Sequence, residues 1–172
     1  MAHPPRIETA EALLAGLSVP ERVRVLVEAC ELAVPVWGDW AKTGELAYFD
    51  GCFMSAVSDT LAESTIAAVR RWLEAGDTAP LESKSREYRA LHWPMLEEEW
   101  AVPDNVYYSL FAPCNLARCA LKGGDMELAL VCIRQALAAR ATNHTDGFLG
   151  EPFRRAFPVS YTHLTLPTKC WV

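Results

Sequence analysis

The chain has 172 residues, 51% of them apolar, and a formal net charge of -6; that length fits one domain with a real core, and that apolar share argues against disorder. The charge, together with the absence of a basic patch, argues against nucleic acid as a partner. No apolar run approaches the ~20 residues of a membrane span, and Met1 to Arg6 contain no signal-like apolar stretch, so the expected location is the cytoplasm.

Residues 9–15 read as a short helix stopped by Gly16. The dominant element follows at residues 18–40. Val23, Leu26, Val27, Cys30, Ala33, Val34 and Trp37 recur at steps of three and four, which draws one apolar stripe. Glu21, Arg24, Glu28 and Glu31 mark the opposite face. Ser18 and Glu21 fit a capping box, with Pro20 in the first turn. Pro35 lies inside the pattern, so a kink or restart is expected near Val34.

Residues 45–51 read as a connection and 52–59 as a helix. Thr60 and Glu63 fit a second capping box, opening a helix to about Ala75 with Gly76 past its end. Ile66, Val69, Trp72 and Leu73 are its apolar positions, with Arg70 and Arg71 exposed. Residues 81–92 form a mostly polar helix whose buried contacts are Leu81, Tyr88 and Leu91. Pro94 breaks it or opens a short helix through Trp100. Residues 106–122 are apolar and helical, with an interruption expected at Pro113. Gly123 and Gly124 close that segment, and Asp125 caps the last strong helix, striped by Met126, Ala129, Leu130, Ile133, Ala136 and Leu137. Residues 143–150 read as a loop and 151–157 as one further turn. The expectation is an all-α, single-domain bundle or array of six to eight helices, with residues 18–34 central.

The end of the chain reads differently. Residues 159–168, V-S-Y-T-H-L-T-L-P-T, resemble the translated read-through of a sequencing adapter, and helical periodicity stops there. Residues 159–172 are therefore expected to be a non-native tail and 1–158 a helical domain truncated at its C-terminus. Lys169 is the only formal charge after Pro158, so the domain itself is one unit more negative than the whole chain.

Two resemblances bear on function. Residues 115–129, N-L-A-R-C-A-L-K-G-G-D-M-E-L-A, resemble the centre of a tetratricopeptide repeat, and the likeness continues through Ala136 and Leu137. It implies an antiparallel helical hairpin and, as a class, an adaptor. No second copy is present, whereas stability needs about three. A second pattern combines Arg22, the step Glu28-Ala29-Cys30, Pro35-Val36-Trp37 and the run from Trp72 to Gly76. It resembles families of small helical bacterial proteins, some of them immunity proteins that neutralise a toxin. That resemblance implies a non-catalytic binder.

The sequence lacks the common metal, phosphate-loop, dinucleotide and nucleophile-elbow motifs. Cys30, Cys114, Cys119 and Cys132 sit among apolar residues and read as reduced core thiols. Cys114 and Cys119 are five apart, on different faces of a helix, which is no metal pair. His92 could act as a general base but reads better as a structural histidine at a helix end, and the Asn143-His144-Thr145-Asp146 run, which could hold an Asp-oriented histidine, reads better as a solvated loop. No catalytic, cofactor-binding or metal residue is assigned, and no cofactor is expected.

The least ordinary feature is Trp93-Pro94-Met95-Leu96-Glu97-Glu98-Glu99-Trp100. Three carboxylates between two indoles suit a basic protein partner, because charge steers approach and tryptophan anchors contact. The expected protein-binding residues are therefore Trp93, Glu97, Glu98, Glu99 and Trp100. The leading reading is a helical protein-binding module, such as an immunity protein against a basic toxin. A structural or adaptor domain and an unrecognised all-helical enzyme are the alternatives.

Overall fold

The computed structural model describes residues 10–43, 58–97 and 103–141, with only the backbone described for 90–97 and 141. Six helices account for them: α1 (Ala10–Ala15), α2 (Val19–Ala41), α3 (Leu61–Ala75), α4 (Ala79–Glu97), α5 (Asp104–Leu121) and α6 (Met126–Ala141). There is no strand among the described residues, and the fold is all-α. No helix among them is long and apolar enough to cross a membrane. Of the helix expected over residues 52–59, residues 52–57 lie outside the described residues, and Ser58 and Asp59 are not helical but lead by a turn into α3; everything after Ala141 also lies outside.

Helix α2 starts as its sequence dictates. Glu21 Oε2 accepts the Ser18 backbone N–H at 2.9 Å and the Ser18 hydroxyl at 2.5 Å. The Ser18 hydroxyl, with the backbone N–H beside it, holds the exposed Glu21 carboxyl below its ordinary range. Every residue of the expected stripe is buried, with Val23, Leu26, Cys30, Ala33 and Trp37 at 0% exposure.

Pro35 does not end this helix, which runs on to Ala41. A proline in a helix interior costs about 3 kcal/mol. Beyond it, Val36, Trp37 and Trp40 are buried. One buried tryptophan removes ~200 Å² from water, worth about 5 kcal/mol, so packing wins. Trp37 is also fixed by a 2.9 Å hydrogen bond from Nε1 to the Asp59 carbonyl, just before α3. Helix α5 likewise continues through the buried Pro113, and α4 through Pro94.

The second expected capping box is absent. Thr60 precedes α3 without a side-chain cap bond, and the Ser58 hydroxyl instead contacts the Thr60 N–H and hydroxyl. Thr60 has near-helical backbone angles, φ -96° and ψ 8°, whereas an N-cap residue normally needs extended ones. The Asp125 cap does form, with Oδ1 accepting the Leu128 N–H at 3.0 Å. Gly76 ends α3 in the left-handed region, φ 72°, with its N–H on the Trp72 carbonyl.

The centre of the molecule is α5 rather than α2. Helix α5 packs against α2, α3, α4 and α6. Its residues from Ser109 to Ala117 are buried without a gap, so it is enclosed round its girth. The amphipathic α2 has a solvent face and borders the core instead. Buried polar groups on α5 find partners. Asn115 Nδ2 donates to Gln135 Oε1 at 2.8 Å, and Ser109 Oγ to the Val106 carbonyl at 2.7 Å.

Arg22 ties three chain segments together. Its guanidinium donates to the carbonyls of Leu14 at 3.0 Å, Leu17 at 3.2 Å and Gly124. The end of α1, the loop after it and the α5–α6 turn are thereby held to the first turns of α2.

Candidate functional site

Helices α2 and α3 lie side by side, and a groove runs between them on the solvent side. Val34, Pro35, Ile66 and Ala67 form its floor, and Glu31, Glu63 and Arg70 its charged margins. The spacing explains the arrangement. Glu31 and Pro35 are one turn apart on α2; Glu63, Ala67 and Arg70 are successive turns on α3. Each set lies just outside the buried stripe of its helix, so the two sets flank the contact line.

The volume is about 400 Å³, near the low end of the ~300–1,000 Å³ of small-ligand clefts. One or two side chains fill such a space. Glu31, Pro35, Glu63, Ala67 and Arg70 are exposed, so the groove opens to water.

The two ends differ electrostatically. At one end Arg70 forms an ion pair with Glu31 across the helices. At the other, Glu63 has no ion-pair partner among the described residues. Its carboxylate reaches from α3 over α2, since a Cβ on Gly38 would sit 3.6 Å from Glu63 Oε1. Glu63 also lies in the first turn of α3, where the helix dipole favours negative charge.

The sequence-derived binding segment is only partly described. Trp93 and Glu97 lie one turn apart on the last two turns of α4, known by their backbone alone. Glu98, Glu99 and Trp100 lie outside the described residues. His92 is likewise a backbone position on α4, and residues 143–146 fall outside. The groove was not singled out from sequence. Its two small residues, Pro35 and Ala67, belong to different helices, so neither marks a groove until α2 and α3 are seen side by side.

The four described cysteines are free and buried. Burial pushes the Cys114 and Cys119 thiols up to about 12, and the Cys132 thiol well above its ordinary value. Cys119 donates to the Asp125 carbonyl at 3.3 Å, and the Cys30 and Cys132 sulfurs touch at 3.5 Å. These groups pack as small hydrophobes and are poor thiolates at neutral pH. No group of three or more metal-ligating side chains occurs among the described residues.

No protein family matches the chain, and no curated protein or solved structure matches it either.

Proposed function

We propose that this chain is a non-catalytic helical protein-binding module for a basic protein partner, of the kind an immunity protein meets in a toxin. The observation that carries the reading is the α2–α3 groove, an apolar floor beside a carboxylate without an ion-pair partner among the described residues. The net charge of -6 supports it, because long-range attraction speeds the approach of a cationic surface. The segment from Trp93 to Trp100 supplies a second acidic and aromatic contact.

The test is a titration of isotope-labelled protein with a lysine-rich amphipathic helical peptide and its glutamate-rich counterpart. The lysine peptide is expected to shift resonances of α2 and α3 around Pro35 and Ala67, more weakly as salt rises. Replacing Glu97, Glu98 and Glu99 together by glutamine is expected to slow its association. Equal binding of the acidic peptide, or shifts scattered away from α2 and α3, refutes the reading. A toxin encoded beside this gene is the natural ligand to use next.

A second reading is an adaptor domain related to tetratricopeptide repeats. It is favoured by the α5–α6 hairpin, where Ala117, Ala120, Ala129 and Ala136 are buried and let the helices approach closely. Repeats of the same period beyond this chain would decide for it.

A further inference from the structure

The groove is polarised, and its two ends are not equivalent. Glu63 and Arg70 are seven residues apart on α3, which is about 10 Å along the helix. Between them the floor is apolar, with Val34 and Ile66 buried and Pro35 and Ala67 exposed. An occupant that satisfies both parts needs an apolar stem and a cationic head. Lysine and arginine side chains have that form, burying their methylene stems while the charge stays near water. The direction is also determined. Arg70 repels a cation at its own end, and Glu31 is already engaged there. Glu63 is the carboxylate left to accept one.

Resting on the reading of this face as the partner-binding surface, we propose that the groove receives a single basic side chain of the partner. Its stem lies along Val34, Pro35, Ile66 and Ala67, and its cationic head pairs with Glu63. Residues that bring no cation to Glu63 fit the floor but leave the carboxylate unanswered. The pair stays open to solvent, so its strength is that of an exposed ion pair. That amounts to a preference of about two- to fivefold over a neutral isostere. Most of the remaining affinity comes from the stem and from the partner's other contacts. The margin also sets a preference: a partner with an acidic side chain at that position meets like charge at Glu63 and is disfavoured by a factor of similar size.

The test uses amphipathic helical peptides identical except for one central residue: arginine, lysine, citrulline or norleucine. Binding is followed by the resonances of α2 and α3 in the full chain. Arginine and lysine are expected to bind about two- to fivefold more tightly than citrulline. Glu63→Gln is expected to abolish that difference, and Glu63→Asp to keep most of it. Ala67→Trp, at an exposed position, is expected to fill the floor and weaken all four peptides. Equal binding of arginine and citrulline peptides in the groove of the wild type overturns this inference and leaves the binding face standing. Binding unaffected by Ala67→Trp, or no binding at all, overturns both. Unchanged circular dichroism and melting of each variant show that the fold is intact.

Discussion

Three glycines with positive φ offer a graded test of how the α5–α6 turn meets α2. Gly76, Gly123 and Gly124 have φ of 72°, 63° and 79°. Replacing any of them by alanine places a Cβ in the left-handed region, which costs about 1–2 kcal/mol. Only at Gly124 is there also no room. Its new Cβ would sit 3.0 and 3.1 Å from the Val19 methyls and 3.2 Å from Arg22 Nη1. At Gly76 and Gly123 it meets nothing within 4 Å.

The neighbours at Gly124 cannot yield freely. Val19 opens α2, and Arg22 is held by the carbonyls of Leu14, Leu17 and Gly124 itself. Overpacking of this sort adds about 1–3 kcal/mol. The expected losses are therefore ~1–2 kcal/mol for Gly76→Ala and Gly123→Ala, and ~2–5 kcal/mol for Gly124→Ala. Urea unfolding followed by far-ultraviolet circular dichroism measures all three, provided the m-value is unchanged. If Gly124→Ala costs no more than Gly123→Ala, the turn does not rest on α2, and the role given to Arg22 is wrong.

Further outcomes follow from the core. Leu26, at 0% exposure on α2, is expected to lose ~2–5 kcal/mol of stability on replacement by alanine, read from the urea midpoint; a loss near zero would place the stripe on the wrong face. The Tyr88 hydroxyl is fully buried beside the Thr65 side chain, whose own hydroxyl donates to the Leu61 carbonyl, and makes no well-formed hydrogen bond among the described residues. Tyr88→Phe is therefore expected to be neutral or stabilising by up to ~1 kcal/mol, and a clear loss of stability in the same assay would show that the contact with Thr65 is a hydrogen bond that counts. Alkali is expected to destabilise the fold: a thiol such as Cys114 ionises near 9.0 when unfolded but near 12 when buried. Between those values the unfolded chain binds fewer protons, so stability falls as pH rises and is fully present below 9.0. Cys114→Ala is expected to flatten that fall in stability against pH, and an unchanged slope would remove the thiol from the account.

Much of this architecture was legible because long helices repeat their apolar positions. The α2 stripe, the Ser18–Glu21 box, the Asp125 cap and the Gly76 stop each rest on interactions within a few residues, and each is present. Pro35, Pro94 and Pro113 do not end or interrupt their helices, because the local rule for proline takes no account of the burial beyond it. Pro35 is followed by Val36, Trp37 and Trp40 in the core, and their packing exceeds the lost hydrogen bond. The rank of α5 was hidden for a related reason. A helix buried all round has no polar face for periodicity to detect, so its central place emerges only from its neighbours. The α2–α3 groove joins residues some thirty positions apart, which no local pattern can register.

The groove is a consequence of the core as much as a feature of the surface. Trp37 on the Asp59 carbonyl fixes where α3 begins beside α2, and the Glu63 carboxylate crosses to lie near Gly38. Buried Val34 and Ile66 then bring the helices together along their stripes. What would ordinarily cover such a seam is a row of long side chains on the flanking positions. Pro35 and Ala67 occupy those positions here, and neither is long enough to close it. Since both are exposed, enlarging Ala67 changes the groove without disturbing the contacts that make α2 and α3 neighbours. The binding surface and the stability of the bundle are therefore separable by mutation at this seam, and a loss of binding there with unchanged melting assigns the effect to the groove.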